Sequence, residues 1–508
     1  MKSMIKITAL FFLAAILSCK KWVDYNPRQD YKITDQEYLK SESDYRAMGV
    51  GVYSPLTWLN QAALIGDVIT DNSVSGGESA SDQLSIQQID DFTYTPVNST
   101  LADLWQAAYE GVNRANYLHL YKAANIAGET VNFSGKEALY GEVYFLRAYY
   151  YFTLVRMFGD VPLFTEKRLG VTDSRSLTRS PKAEVYKQIE TDLTAAIGTL
   201  PTVQTEKGRA TKYAAQALLG KAYLYQQKYA EAAAVLENVV AGPFVLVGDP
   251  VKDPTRSFGN IFLQSGENGS ESVFEIQYSN GQATFDWAHP TRNQGNLLVQ
   301  QSGVRGFSGG SGMPYASGWS TNLPTQNLAD AYEAGDKRKE ATIFDAEAYK
   351  NANPALNIEY LVAPYRNTGF YSHKYLPRIG ETSGQLELNY LNNLRTIRYG
   401  DVLLMAAEAN NKSGNDIKAQ TYLNEVRRRA FGNNQHDITA TGTALYDAIL
   451  KERRLELAME GERFFDLVRT GMAAAVLGSL GFEAGKHEVF PVPQAEVDGT
   501  NIVQNPGY

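Results

Sequence analysis

Apolar residues recur at helical spacing along much of the chain, and the spacing changes in its middle. In 211–240, TKYAAQALLGKAYLYQQKYAEAAAVLENVV, two helical stretches meet at a turn near Gln227-Lys228. Gly220, Tyr223, Ala232 and Leu236 fall where a tetratricopeptide repeat puts its small, aromatic, small and large residues. The small residues let two helices approach closely, and the large ones fill the space beside them. One such pair cannot bury its face alone, so it must stack on another. A second pair is predicted over 397–430, where Ala406, Ala409, Ala419 and Leu423 repeat the scheme with one residue inserted at the turn. The aromatic-rich stretch 136–158 predicts another helix, stopped by Gly159-Asp160-Val161-Pro162 because proline cannot continue it. Its predicted partner is 181–200, with Ser180 as N-cap and Pro181 in the first position. Residues 443–470 predict one long helix or two in sequence.

From about 242 to 395 Gly, Pro, Asn and Ser rise and helical periodicity fades. Short apolar runs such as 272–278 read as strands. The fold class predicted is mostly α: about four tetratricopeptide-like helical pairs as scaffold, with an irregular, loop-rich lobe containing short strands. The expected organisation is a leader at 1–18, a tether and start of the fold at 19–40, scaffold at 41–241 with a loop near 71–91, the irregular lobe at 242–395, and scaffold again at 396–508. Long irregular loops on a rigid scaffold usually carry function.

The N-terminus sets the compartment. Lys2 and Lys6 precede an apolar run, 7–17, too short to span a bilayer, which reads as an export signal. The run ends at Ser18-Cys19, and Cys19 is the only cysteine of the chain. Its position resembles a bacterial lipobox, in which the thiol is lipidated and becomes the new N-terminus, anchoring the protein to a membrane. Removing the leader with its two lysines lowers the net charge from −8 to −10. An acidic chain of this kind does not suit nucleic acid, whose phosphates need a basic face. The 32 Tyr, against 21 Phe and 5 Trp, suit a carbohydrate binder, since tyrosine offers a flat apolar ring and a hydroxyl that can stay wet.

Motifs spread over nearly the whole length now carry a resemblance. They begin at Cys19 and Val23-Asp24-Tyr25-Asn26-Pro27 and continue through Trp105-Gln106-Ala107-Ala108-Tyr109 and Asn113-Arg114-Ala115-Asn116. Leu146-Arg147-Ala148-Tyr149, Gly159-Asp160-Val161-Pro162-Leu163, Pro324-Thr325 and Asp336-Lys337-Arg338 follow. The most specific block is Glu452-Arg453-Arg454 through Glu460-Gly461-Glu462-Arg463 and Phe464-Phe465-Asp466-Leu467 to Arg469. Phe490-Pro491-Val492-Pro493 and Asn505-Pro506-Gly507-Tyr508 close the series. In this order they resemble the SusD/RagB family of outer-membrane nutrient-binding lipoproteins. The resemblance implies a helical scaffold with an irregular ligand-binding lobe, seated as a lid on a SusC-like TonB-dependent barrel. It implies capture of oligosaccharides, or in some members peptides, without turnover, at the outer membrane and facing the cell exterior.

A sugar ring has an apolar face and a rim of hydroxyls, so an exposed Trp or Tyr flanked by polar groups is the feature to seek. The first candidate loop, 71–91, offers Asp71, Asn72, Gly77 and Asp82; in the family it follows a strand ending near Gly66-Asp67 and borders the ligand site. The second, 280–320, offers Trp287, Phe307, Tyr315 and Trp319 as rings and Arg292, Asn293 and Arg305 as polar groups; Trp319 resembles a family packing position. Enzyme signals are weak. Glu460 and Arg463, and Arg463 and Asp466, lie three apart and are expected to pair along a helix face. Gly306-Phe307-Ser308-Gly309-Gly310 fits a hydrolase nucleophile pattern but lacks the strand and helix that pattern needs. No motif nominates a carboxylate pair for glycoside hydrolysis. The five histidines show no metal-ligand spacing, and no cofactor is expected. Some relatives bind calcium; the chain has no EF-hand loop, and its scattered carboxylates leave a structural or ligand-bridging calcium ion as an open alternative.

Overall fold

The computed structural model describes residues 38–281 and 285–508. The leader, Cys19 and most of the tether lie outside the described residues. The helices that matter below are α1 (Glu42–Tyr53), α2 (Asn60–Val68), α3 (Leu84–Asp90), α4 (Ser99–Leu120), α5 (Lys136–Phe158), α6 (Lys182–Thr199), α7 (Lys212–Tyr225) and α8 (Tyr229–Val240). Later come α9 (Leu297–Ser302), α10 (Tyr399–Lys412), α11 (Asp416–Phe431), α12 (Gly442–Glu456) and α13 (Arg463–Arg469). The protein is thus mostly α, as the periodicity predicts.

α5 with α6, α7 with α8 and α10 with α11 form successive hairpins, each packed on the next. Gly220 shows why they close so tightly: a Cβ there would lie 2.5 Å from the Leu236 side chain. Ala232, Ala406, Ala409, Ala419 and Leu423 are all fully buried, as the repeat scheme requires. Between α7 and α8 the chain turns at Gln227, whose φ is +58°. α5 is buried on nearly every face, with Tyr140, Phe145, Tyr150, Tyr151 and Phe158 inaccessible, and α4 covers it on another side. Buried Arg147 on α5 grips Asp192 on α6 through two hydrogen bonds of 2.8 and 2.7 Å.

Two expectations are corrected here. α6 begins at Lys182, and Ser180 does not cap it; Ser180 pairs with Val161, and Asp160 accepts from the Lys182 amide at 2.8 Å. Residues 443–470 form two helices in sequence, one of the two expected forms, but the two do not close into a fourth pair. α12 stacks on α10 and α11, but α13 packs against α2 instead of against α12. The cause lies in the break between α12 and α13, where Met459 and Gly461 take positive φ. Gly461 comes so close to α2 that a Cβ on Gly66 would sit 2.1 Å from its carbonyl oxygen.

Six short strands among the described residues make three antiparallel pairs. β1 (Ser73–Ser75) pairs with β3 (Asn322–Pro324), β2 (Ser272–Ile276) with β6 (Leu394–Arg398), and β4 (Ile343–Asp345) with β5 (Phe370–Ser372). β1 with β3 ties the 71–91 loop to the middle of the chain.

The conspicuous charges of the 452–469 block form a buried lattice that joins these pieces. Arg398, on β6, reaches Glu271 at 2.9 Å, Glu460 at 2.8 Å and Glu456. Arg338 holds Asp336 at 2.7 Å and Glu452 at 2.7 Å, and Arg469 holds Glu408 at 2.6 Å. Burial alone would push the Asp466 carboxyl up, yet Arg453 and Arg469 hold it far below the usual carboxylate range. Pairing along one helix face is not what joins these residues. Glu460 lies in the break and pairs with Lys374 at 2.6 Å, while Arg463 turns to Asp71 at 3.0 Å. Charges this buried persist because each is matched.

Candidate functional site

The two nominated loops meet, and one side chain clamps them. Arg305 donates to Asp82 at 2.8 Å and to the Trp319 carbonyl at 2.7 Å. Behind the clamp, Gln61 on α2 and Gln301 on α9 exchange amide hydrogen bonds of 2.8 and 3.0 Å, and Gln301 donates on to Gln83 at 2.9 Å. This amide chain fixes the 71–91 loop to the scaffold. Within the loop Asp82 accepts from the Glu78 amide at 2.9 Å, so its carboxylate shapes the loop as well as pairing with Arg305.

Above the clamp lie two tryptophans. The Trp287 and Trp319 rings are 6.3 Å apart at 34°. Trp287 is 51% exposed, unusually open for so large a ring, while Trp319 is half-buried and donates its indole N–H to Glu387 at 3.2 Å. The turn carrying Trp287 is braced from within. Buried Asn293 accepts from the Asp286 amide at 3.1 Å and donates to the carbonyls of Asp286 at 3.2 Å and Pro290 at 3.0 Å. Asp286 caps the same turn, accepting from the Ala288 amide at 2.9 Å, and its bond to the His289 ring pulls its pKa down. The result is an apolar shelf with Asp82, Arg305 and Glu387 at its edge, the chemistry a sugar face and its hydroxyl rim require.

Several nominated residues do other work. Asp71 is pinned at 3.0 Å by both Arg454 and Arg463, and buried Asn72 accepts from Arg454 at 2.8 Å. Both therefore anchor the loop base to α12 and α13. Gly77 is buried and bridges Tyr365 through its backbone. Phe307 is buried in a small core of its own with Phe344 and Tyr349, and Tyr315 lies half-buried against it. The Tyr315 hydroxyl donates to His373 at 3.0 Å, because the other ring nitrogen of His373 is turned to the Glu340 carbonyl at 2.7 Å. Asn293 positions Trp287 from beneath. Arg292 turns away from the shelf, donating to Gln106 at 2.9 Å and lying over the Trp58 ring at 5.7 Å. Gly66 and Asp67 end a helix, α2, and no strand. Ser308 sits in an exposed bridge to Glu359 with no helix behind it.

Sequence reasoning missed Glu387, Gln83 and Gln301, since polar residues in a loop or short helix give no periodic signal. Among the described residues no group of three or more His, Cys, Asp or Glu could hold a metal ion.

A profile of the SusD family matches residues 270–508, and one described as starch-binding associating with outer membrane matches residues 21–224. A solved laminarin binding SusD-like protein is 36% identical and superposes with a TM-score of 0.81, covering 92% of this chain and 100% of that one. This chain belongs to the SusD family. Another solved structure, surface glycan-binding protein A from Bacteroides thetaiotaomicron in complex with laminarihexaose, is 27% identical with a TM-score of 0.79, over 92% of this chain and all of that one. SusD-like protein P2 of Formosa agariphila is 27% identical over 99% of both chains.

Proposed function

We propose that this SusD-family protein captures glycans of the laminarin type at the outer-membrane surface and passes them, uncleaved, to a SusC-like TonB-dependent barrel. Lipidation at Cys19 would hold it there; no described helix is long and apolar enough to cross a membrane. The observation that carries the reading is the exposed Trp287 beside Trp319, with Asp82, Arg305 and Glu387 along the edge. The 36% identical relative that binds laminarin supports the choice of glycan. Capture without turnover is supported by two carboxylates at the shelf that are engaged in holding it together, Asp82 by Arg305 and Glu387 by an indole N–H.

The test is calorimetry of the mature protein with laminarin, other neutral polysaccharides and peptides, followed by chromatography of the recovered ligand. Saturable binding of laminarin with intact product is expected. Binding of peptides alone, or shortened chains after incubation, would refute the assignment.

A further inference from the structure

We propose that the cavity beside Trp58 is a second saccharide subsite, which takes neutral, hydroxyl-rich units of the same chain that lies on the Trp287–Trp319 shelf. The proposal rests on the glycan reading above. The cavity encloses about 660 Å³ between α4, the segment 54–59, the stretch 162–177 and the C-terminal region. That size is ordinary for a small-ligand site. Trp58 is half-buried at its mouth, and Tyr109 and Phe164, stacked at 5.7 Å and 13°, make an apolar wall.

The polar groups have capacity to spare. Asn113 accepts from the Leu169 amide at 3.1 Å, and its own NH₂ has no partner among the described residues. Gln106 is in the same position, its oxygen occupied by Arg292 at 2.9 Å. The Glu496 carboxylate has no cation or donor among the described residues, and burial pushes its pKa up. Unpaired donors and an unpaired acceptor in one cavity call for a ligand that offers both, as sugar hydroxyls do. Charge favours a neutral ligand: Arg114 is neutralised by Glu110 at 2.7 Å, and the remaining Arg292 and Glu496 balance.

The two sites are joined by one short turn. Arg292, at the cavity, is five residues from Trp287, so their Cα atoms are no more than about 18 Å apart. The single turn of 3₁₀ helix Pro290–Arg292 rests on the 3₁₀ segment Ser54–Leu59 that carries Trp58. An oligosaccharide of several units can therefore reach from shelf to cavity.

The test compares laminaritriose with laminarihexaose by calorimetry on the full mature chain. The variant pairs Asn113→Asp with Glu496→Gln; it exchanges the positions of the free amide and the carboxylate, so a ligand matched to the wild-type arrangement meets an acceptor where it found a donor and a donor where it found an acceptor, while the acceptor for Leu169 and the net charge are kept. Thermal unfolding checks its fold. Hexaose affinity is expected to fall about tenfold while triose affinity stays at the wild-type value. Unchanged hexaose affinity, or equal weakening of both lengths, overturns the subsite while leaving the shelf intact. A wild-type protein that binds neither oligosaccharide overturns the glycan reading, and the subsite with it.

Discussion

Replacing Trp287 with alanine isolates the shelf from the fold. A tryptophan side chain presents roughly 200 Å², and Trp287 leaves 51% of itself in water. About 100 Å² is thus available, and a sugar lying on one face covers roughly half of it, some 50 Å². At about 25 cal/mol per Å² this is on the order of 1.3 kcal/mol, and ring stacking adds about 0.5–1 kcal/mol. The sum corresponds to roughly a twenty- to fiftyfold weaker Kd. Because the ring is exposed and its turn is held by Asn293, the unfolding temperature should stay within a degree or two of wild type. Calorimetry with laminarihexaose measures the first quantity and circular dichroism the second. Wild-type affinity in a folded Trp287→Ala protein would refute the reasoning, because no other exposed ring in the described part of the shelf could replace it. Trp287→Phe, which keeps a flat face, should recover most of the loss.

Asn293→Ala leaves the Asp286 and Pro290 backbone groups without their partner; hydrogen exchange across 286–293 should quicken and glycan affinity fall, although Asn293 is buried beneath the turn. Arg147→Ala strands the buried carboxylate of Asp192 and should cost about 3–5 kcal/mol in chemical unfolding, with Arg147→Lys recovering only part because the two-pronged grip is lost. Asp67, buried at the end of α2, has its pKa pushed by burial up to about 7. The folded protein therefore holds a proton there that the unfolded chain, with an ordinary carboxylate, releases near pH 4. Between about pH 4 and pH 7 this residue's contribution to stability should decline by up to about 1.4 kcal/mol per pH unit and level off above 7. Urea unfolding of wild type against Asp67→Asn across that window checks it; a wild type that gains stability relative to the variant as pH rises would contradict the assignment.

The scaffold was legible because helical pairs advertise themselves through small residues at fixed spacing, and Gly220, Ala232, Ala406 and Ala419 all lie where that spacing puts them. The end of the last pair was not, because the break before α13 depends on Gly461 meeting Gly66, a contact between residues some four hundred positions apart. At the site, Trp287, Trp319, Asp82 and Arg305 could be nominated as rings and polar groups in glycine-rich loops. Which of the nominees face water could not. Asp71, Asn72 and Phe307 have the same chemistry as true ligand groups, and only the arginines of α12 and α13 and the aromatic cluster around Phe344 turn them inward. Trp58 gave no signal in sequence, since a lone ring in an apolar stretch reads as core.

The turn that bears Trp287 has a consequence for how such proteins diversify. Its bracing comes largely from its own residues, Asp286, His289 and Asn293, so the tip can mutate without disturbing the hairpin stack. Selection for a new nutrient can then act on a few codons at one end of the recognition surface, while the partner half, bound into the body of the protein through Gln301 and Arg305, supplies a constant floor.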